Sequence, residues 1–149
     1  MARRLLMAIA ATLFPLVLLF SCSNSKLGEV STLDEASALK ICKAATATLM
    51  GRDVQIMTAE KIKDPGVYHV FYDRPSDNTR WGFLYKFEGD RIIWAGAEMP
   101  SGPNGKGRWR THPLDDKITY SFRNNAITIT EVFSDSSSNS RQFNAADIK

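Results

Sequence analysis

The sequence predicts an α+β fold, with one N-terminal helix packed on a curved antiparallel sheet of about seven strands. Three observations lead there. After residue 31, apolar residues recur at helical spacing in one stretch only, Thr32–Met50. Beyond Gly51 the apolar period drops to two, the repeat of a strand with one buried face. Short clusters of Gly, Pro, Asn, Asp and Ser interrupt the alternating runs, as turns between antiparallel neighbours do. Periodicity leaves a second architecture open, a small β-barrel or sandwich with the helix plugging one end.

The helix is expected to start at Thr32, whose hydroxyl caps the first turn, with Glu35 three residues on completing a capping box. Asp34 and Glu35 suit the positive end of the helix dipole. Ala38, Ile41, Cys42, Ala45 and Leu49 share one face, while Lys40, Lys43 and Ala47 fall largely on the other. A stripe of such small side chains permits close approach to a sheet. Gly51 supplies the stop, because glycine takes the left-handed conformation that ends a helix.

The strands follow in order. Val54–Thr58 alternates and reads as a strand, and Asp64-Pro65-Gly66 turns the chain. Further strands are expected over 67–73, 81–87 and 91–97, with 75–79 turning between the first two and Glu88-Gly89-Asp90 making a tight hairpin between the last two. Residues 99–107 hold two prolines and three glycines and cannot sustain a ladder, so they form a loop. Arg108-Trp109-Arg110 reads as a short strand ended by Pro113. Residues 117–122 and 127–133 alternate around a turn at Asn124-Asn125. A polar turn over 135–140 and a last strand over 141–144 complete the sheet, and 145–149 reads as a frayed tail.

Ahead of this domain lies MARRLLMAIAATLFPLVLLFSC. Arg3 and Arg4 form a positive start, Leu5–Phe20 is an uncharged and mostly apolar run of sixteen residues, and Ser21 is small. That order is the one of a secretory signal. Leu19-Phe20-Ser21-Cys22 resembles the lipobox of bacterial lipoproteins: Leu19, Ser21 and Cys22 match its pattern, and Phe20 is an unusual occupant of its place. The resemblance implies cleavage before Cys22, acylation of that cysteine, and attachment to a lipid bilayer of the cell envelope. More than one acyl chain gives lasting attachment, since each buried methylene contributes ~0.8 kcal/mol. Ser23, where an aspartate would favour inner-membrane retention, points to the outer membrane in a cell that has two. The chain then divides into a signal peptide (1–21), a lipidated polar tether (22–31) and a single domain (32–149). The residues also allow a cut nearby, for example after Ser23, which would release a secreted domain. An uncleaved anchor fits less well, because the run falls short of the ~20 residues that span a bilayer and contains Pro15.

The formal charge of +3 includes Arg3 and Arg4, so a chain cut before Cys22 carries only +1. Bulk charge therefore gives no argument for nucleic acid. Of the two cysteines, Cys42 stands alone if Cys22 is acylated; otherwise the two can pair in an oxidising compartment.

The densest concentration of cationic and aromatic residues is Lys106–His112. Lys106, Arg108, Arg110 and His112 present positive charge beside Trp109, and alternation puts Arg108 and Arg110 on one side and Trp109 on the other. Arg forks match carboxylate or phosphate, and Trp is a frequent interface anchor. This is the candidate patch for an acidic protein or another anionic envelope partner. The competing reading is a solvated edge strand whose arginines discourage edge pairing. Trp81, Phe83, Tyr85 and Phe87 share a strand face that reads as core rather than a ligand groove, and His69 reads as packed or paired. No G-x-S-x-G and no H-E-x-x-H occurs, two histidines make a poor metal site, and no glycine-rich phosphate loop opens a helix. No catalytic set, metal site or cofactor is therefore expected. The expectation is a membrane-anchored, non-enzymatic binding or inhibitor-like module. Its layout, a lipobox before a small β-rich domain with a basic loop, is similar to that of lipoprotein inhibitors of cell-wall hydrolases, whose targets have acidic clefts. A structural or small-ligand carrier is the alternative, and a cell-envelope enzyme a more distant one.

Overall fold

The computed structural model describes residues 33–97 and 107–149. Thr32, Cys22 with its signal and tether, and most of the expected 99–107 loop lie outside the described residues.

Helix α1 spans Glu35–Met50. Its N-cap is Asp34 rather than Thr32: the Asp34 Oδ1 accepts the Ser37 amide at 2.9 Å. A carboxylate at this place meets both an orphan amide and the positive helix end. The C-terminus follows expectation. Gly51 takes φ 61°, and the amides of Gly51 and Arg52 return to the carbonyls of Thr48 and Ala47, a Schellman closure. The expected strand at Val54–Thr58 is a single 3-10 turn at Val54–Ile56, because the Asp53 carboxylate accepts the Gln55 amide and bends the backbone away from extension.

The strands are β1 Thr58–Lys61, β2 Tyr68–Asp73, β3 Arg80–Glu88, β4 Arg91–Ala97, β5 Lys117–Arg123, β6 Ala126–Val132 and β7 Ser138–Asn144. Each pairs antiparallel with its sequence neighbour in the order β1-β2-β3-β4-β5-β6-β7. The last strand begins at Ser138, three residues before the expected start, and it takes up the end of the predicted polar turn. Asn124 and Asn125 have φ values of 50° and 62° between the paired Arg123 and Ala126, the left-handed pair a two-residue hairpin needs.

The sheet curls into a half-barrel. Helix α1 lies in its hollow, touching β1 and β2 on one side and β6 and β7 on the other. Ala38, Ile41, Cys42 and Ala45 are fully buried, as the stripe predicts, but so is Ala47, which had been placed on the outer face. The curl causes this: a helix held by both flanks of a sheet buries more than one stripe. Facing it are Tyr68, Val70, Phe83, Tyr85, Ile118, Ile127 and Ile129. The aromatic face of β3 is therefore core, and only Trp81 at its end is exposed. Tyr85 is wholly buried with its hydroxyl 2.8 Å from the Thr46 Oγ. Arg141 of β7 donates to the Ala47 carbonyl at 2.6 Å, fixing the helix end to the far flank of the sheet.

Residues 145–149 do not fray. Ala145 and Ile148 are buried in the core cluster, the Ala145 amide donates to the Asn125 carbonyl at 2.8 Å, and Lys40 donates to the Ala145 carbonyl at 2.6 Å. Their burial comes from the helix flank, which no local pattern announces.

Candidate binding segment along the edge of β4

Strands β4 and β5 pair only at Arg91–Thr119 and Ile92–Ile118. Beyond Ile92 the edge of β4 belongs to residues 107–110. The Gly107 amide donates to the Gly96 carbonyl at 2.7 Å and the Arg110 amide to the Trp94 carbonyl at 2.8 Å. Two isolated bonds do not make a ladder, so the expected short strand at Arg108–Arg110 is an irregular segment following a strand edge. A Cβ on Gly107 would sit 3.4 Å from the Gly96 carbonyl oxygen, in ordinary contact with it, so the two backbones run close together here.

The alternation read from the sequence is nevertheless present. Arg108 and Arg110 both turn toward Asp115, and Trp109 turns to the other side, where the Lys86 ammonium lies 5.4 Å from its ring centre. Asp115 organises the segment. Both its oxygens accept from the Arg108 fork at 2.7 Å, and Oδ2 also accepts the His112 amide at 2.8 Å. Its side chain is only 10% exposed against 57% for Arg108. The Arg108 guanidinium, foremost, and the His112 amide hold the Asp115 carboxyl well below the usual carboxylate range, against an opposing push from partial burial. This doubly hydrogen-bonded geometry is the strong form of an Arg–carboxylate contact.

The five candidate residues thus divide. Arg108 is committed to Asp115. The His112 imidazole Nδ1 accepts the Leu114 amide at 3.2 Å, so it is the acceptor nitrogen and supports the turn. Trp109 covers the opposite side. Lys106 lies outside the described residues. Arg110 keeps its guanidinium largely available: it stands 3.8 Å from the Asp115 carboxylate, is 46% exposed, and lies over the Trp94 ring at 5.1 Å from its centre. Trp94, Arg110, Leu114, Asp115 and Asp116 line an open cleft of about 240 Å³, and Leu114 is 73% exposed beside it. Sequence reasoning missed Trp94, Leu114 and Asp115. The spacing of Asp115 from Arg108 carries no motif that would have singled it out.

Three other chemistry-bearing residues are buried, and the His69 Nε2 has no hydrogen-bond partner among the described residues. His69 is buried on the sheet face opposite α1, with its Nδ1 2.9 Å from the Glu60 Oε1. Cys42 is a free, fully buried thiol, pushed far up by desolvation. Glu131 faces the inner side opposite Ile118, and burial, then Asp116, raise its carboxyl. Among the described residues no group of three or more His, Cys, Asp or Glu side chains is placed to hold a metal. Comparison with protein-family models, with curated proteins and with solved structures returns no match.

Proposed function

We propose that the chain is a lipid-anchored binding module of the bacterial cell envelope, held to the bilayer through acylated Cys22 and engaging an acidic protein partner through Arg110, Trp94 and Leu114. The observation that carries the binding reading is the half-exposed Arg110 guanidinium, over the Trp94 ring at the mouth of a cleft and in only a long, 3.8 Å ion pair with Asp115. Arginine and tryptophan are among the residue types enriched at interface hot spots, and the exposed Leu114 adds apolar surface beside them. Asp115 holds the backbone that carries them, which reduces the ordering a partner would impose. The sequence Leu19-Phe20-Ser21-Cys22 supports the anchor. Cys42 supports it indirectly, since a thiol inside the core is badly placed to pair with a cysteine of the tether.

Two experiments test the two halves. Intact mass and membrane fractionation of wild type and Cys22→Ala, expressed in a bacterium, should give an acylated chain starting at Cys22 and loss of membrane association in the variant. An unlipidated, released product refutes the anchor. A photo-crosslinking amino acid at position 114 should capture a partner in envelope preparations, and capture should fall with added salt and with Arg110→Ala. Capture indifferent to both refutes the cleft as the binding surface.

A further inference from the structure

On a different part of the molecule, a second cleft of about 370 Å³ runs between α1 and the edge strand β1. Its volume is within the range of small-ligand sites. Its walls are mostly apolar, formed by Ala36 and Leu39 of the helix and Ala59 of β1, and Lys40, Lys43 and Lys149 stand around it. No Asp or Glu side chain among the described residues is ion-paired with Lys40 or Lys43. Lys40 and Lys43 each donate to a backbone oxygen, of Ala145 and Lys149 respectively. Glu35, beside the cleft in sequence, is taken by Lys61 at 2.8 Å. Burial, then the Lys40 charge, disfavour the protonated Lys43 ammonium, a load that an anion between the two would relieve.

We propose that this cleft binds a single-chain carboxylate amphiphile, a fatty acid, with its acyl chain along Ala36, Leu39 and Ala59 and its carboxylate between Lys40 and Lys43. Apolar walls with cations at the margin complement that chemistry at both ends. An esterified or amide-linked acyl chain has the same hydrocarbon but no charge, so the lysines select for the free acid. The site is independent of the proposed anchor and of the Arg110 cleft.

The test uses the full chain in membranes and a dodecanoate carrying a chain-terminal diazirine. After irradiation and digestion, label should concentrate on the peptides holding 36–43 and 58–59. Unlabelled dodecanoate should compete, and methyl dodecanoate should compete about 3- to 10-fold less well. Each methylene removed from the competitor should weaken it about 2- to 4-fold. Ala36→Phe fills the cleft from an exposed helix position and should abolish labelling without lowering the melting temperature. Label spread evenly over the chain, equal competition by the ester, or undiminished labelling of a folded Ala36→Phe protein each overturns the proposal.

Discussion

The buried hydroxyl pair at the centre of the domain gives a sharp test of how the helix is held. The Thr46 Oγ lies 2.9 Å from the Cys42 carbonyl and 2.8 Å from the Tyr85 hydroxyl. The threonine has one hydroxyl hydrogen and gives it to the carbonyl, so Tyr85 is the donor of the second bond. Tyr85→Phe removes that bond and leaves Thr46 still bonded to its own helix, which costs about 1 kcal/mol. Thr46→Val keeps the shape but strands the Tyr85 hydroxyl in a fully buried place, and an unsatisfied buried group costs about 1–3 kcal/mol beyond the lost bond. The double variant has no orphan, so adding Tyr85→Phe to Thr46→Val should restore stability. Urea and thermal unfolding of the four proteins measures this, at about 4 °C per kcal/mol for a domain of this size. A double variant whose loss equals the sum of the single losses refutes the reasoning, as does a Thr46→Val protein no weaker than Tyr85→Phe.

Three further outcomes follow from the same structure. Ile148→Ala should cost about 2–4 kcal/mol, as a buried core truncation does; a change below about 0.5 kcal/mol, typical of the surface, would mean the C-terminal residues do not pack. Asp115→Asn should speed hydrogen exchange at the Gly107 and Arg110 amides; because the Asp115 carboxyl is lowered in the folded state, wild-type protection should be full above the ordinary carboxylate range and fade as pH falls below it, whereas the variant should show no such fade. Glu131→Gln should be more stable than wild type at pH 7 and equal to it under acid, since a carboxyl raised by burial and Asp116 loses folding energy as pH climbs from its ordinary value through its raised one; an advantage that persists at pH 3 would point to packing instead.

The sheet was legible because its signals are local. Alternation in Phe83–Tyr85–Phe87 and Ile127–Ile129, and the Asn124-Asn125 pair, each depend on a few adjacent residues, and the structure places them as read. Features that depend on distant partners were not legible. Ile148 stands in a short stretch with no strand or helix period, and only the flank of α1 makes it core. Val54–Ile56 has strand-like alternation, yet one Asp53 hydrogen bond diverts it. At the candidate site the arginines and the tryptophan stood out by residue type, and their division between two sides followed from alternation. The commitment of Arg108, and therefore the availability of Arg110, depends on a carboxylate seven residues on that nothing local singles out.

The nearest-neighbour order of the strands has a consequence for how such a chain is made. Every strand pairs with the one beside it in sequence, so each hairpin can close as soon as its second strand emerges. The helix is different. It comes first, but Arg141 reaches its end from 94 residues away and the Ala145 carbonyl meets Lys40 across 105. Synthesis from the N-terminus therefore leaves the helix with the partners of one flank, β1 and β2, until β6 and β7 follow. Closure of the half-barrel over the helix thus waits on β7 and on the buried Ala145 and Ile148 beyond it.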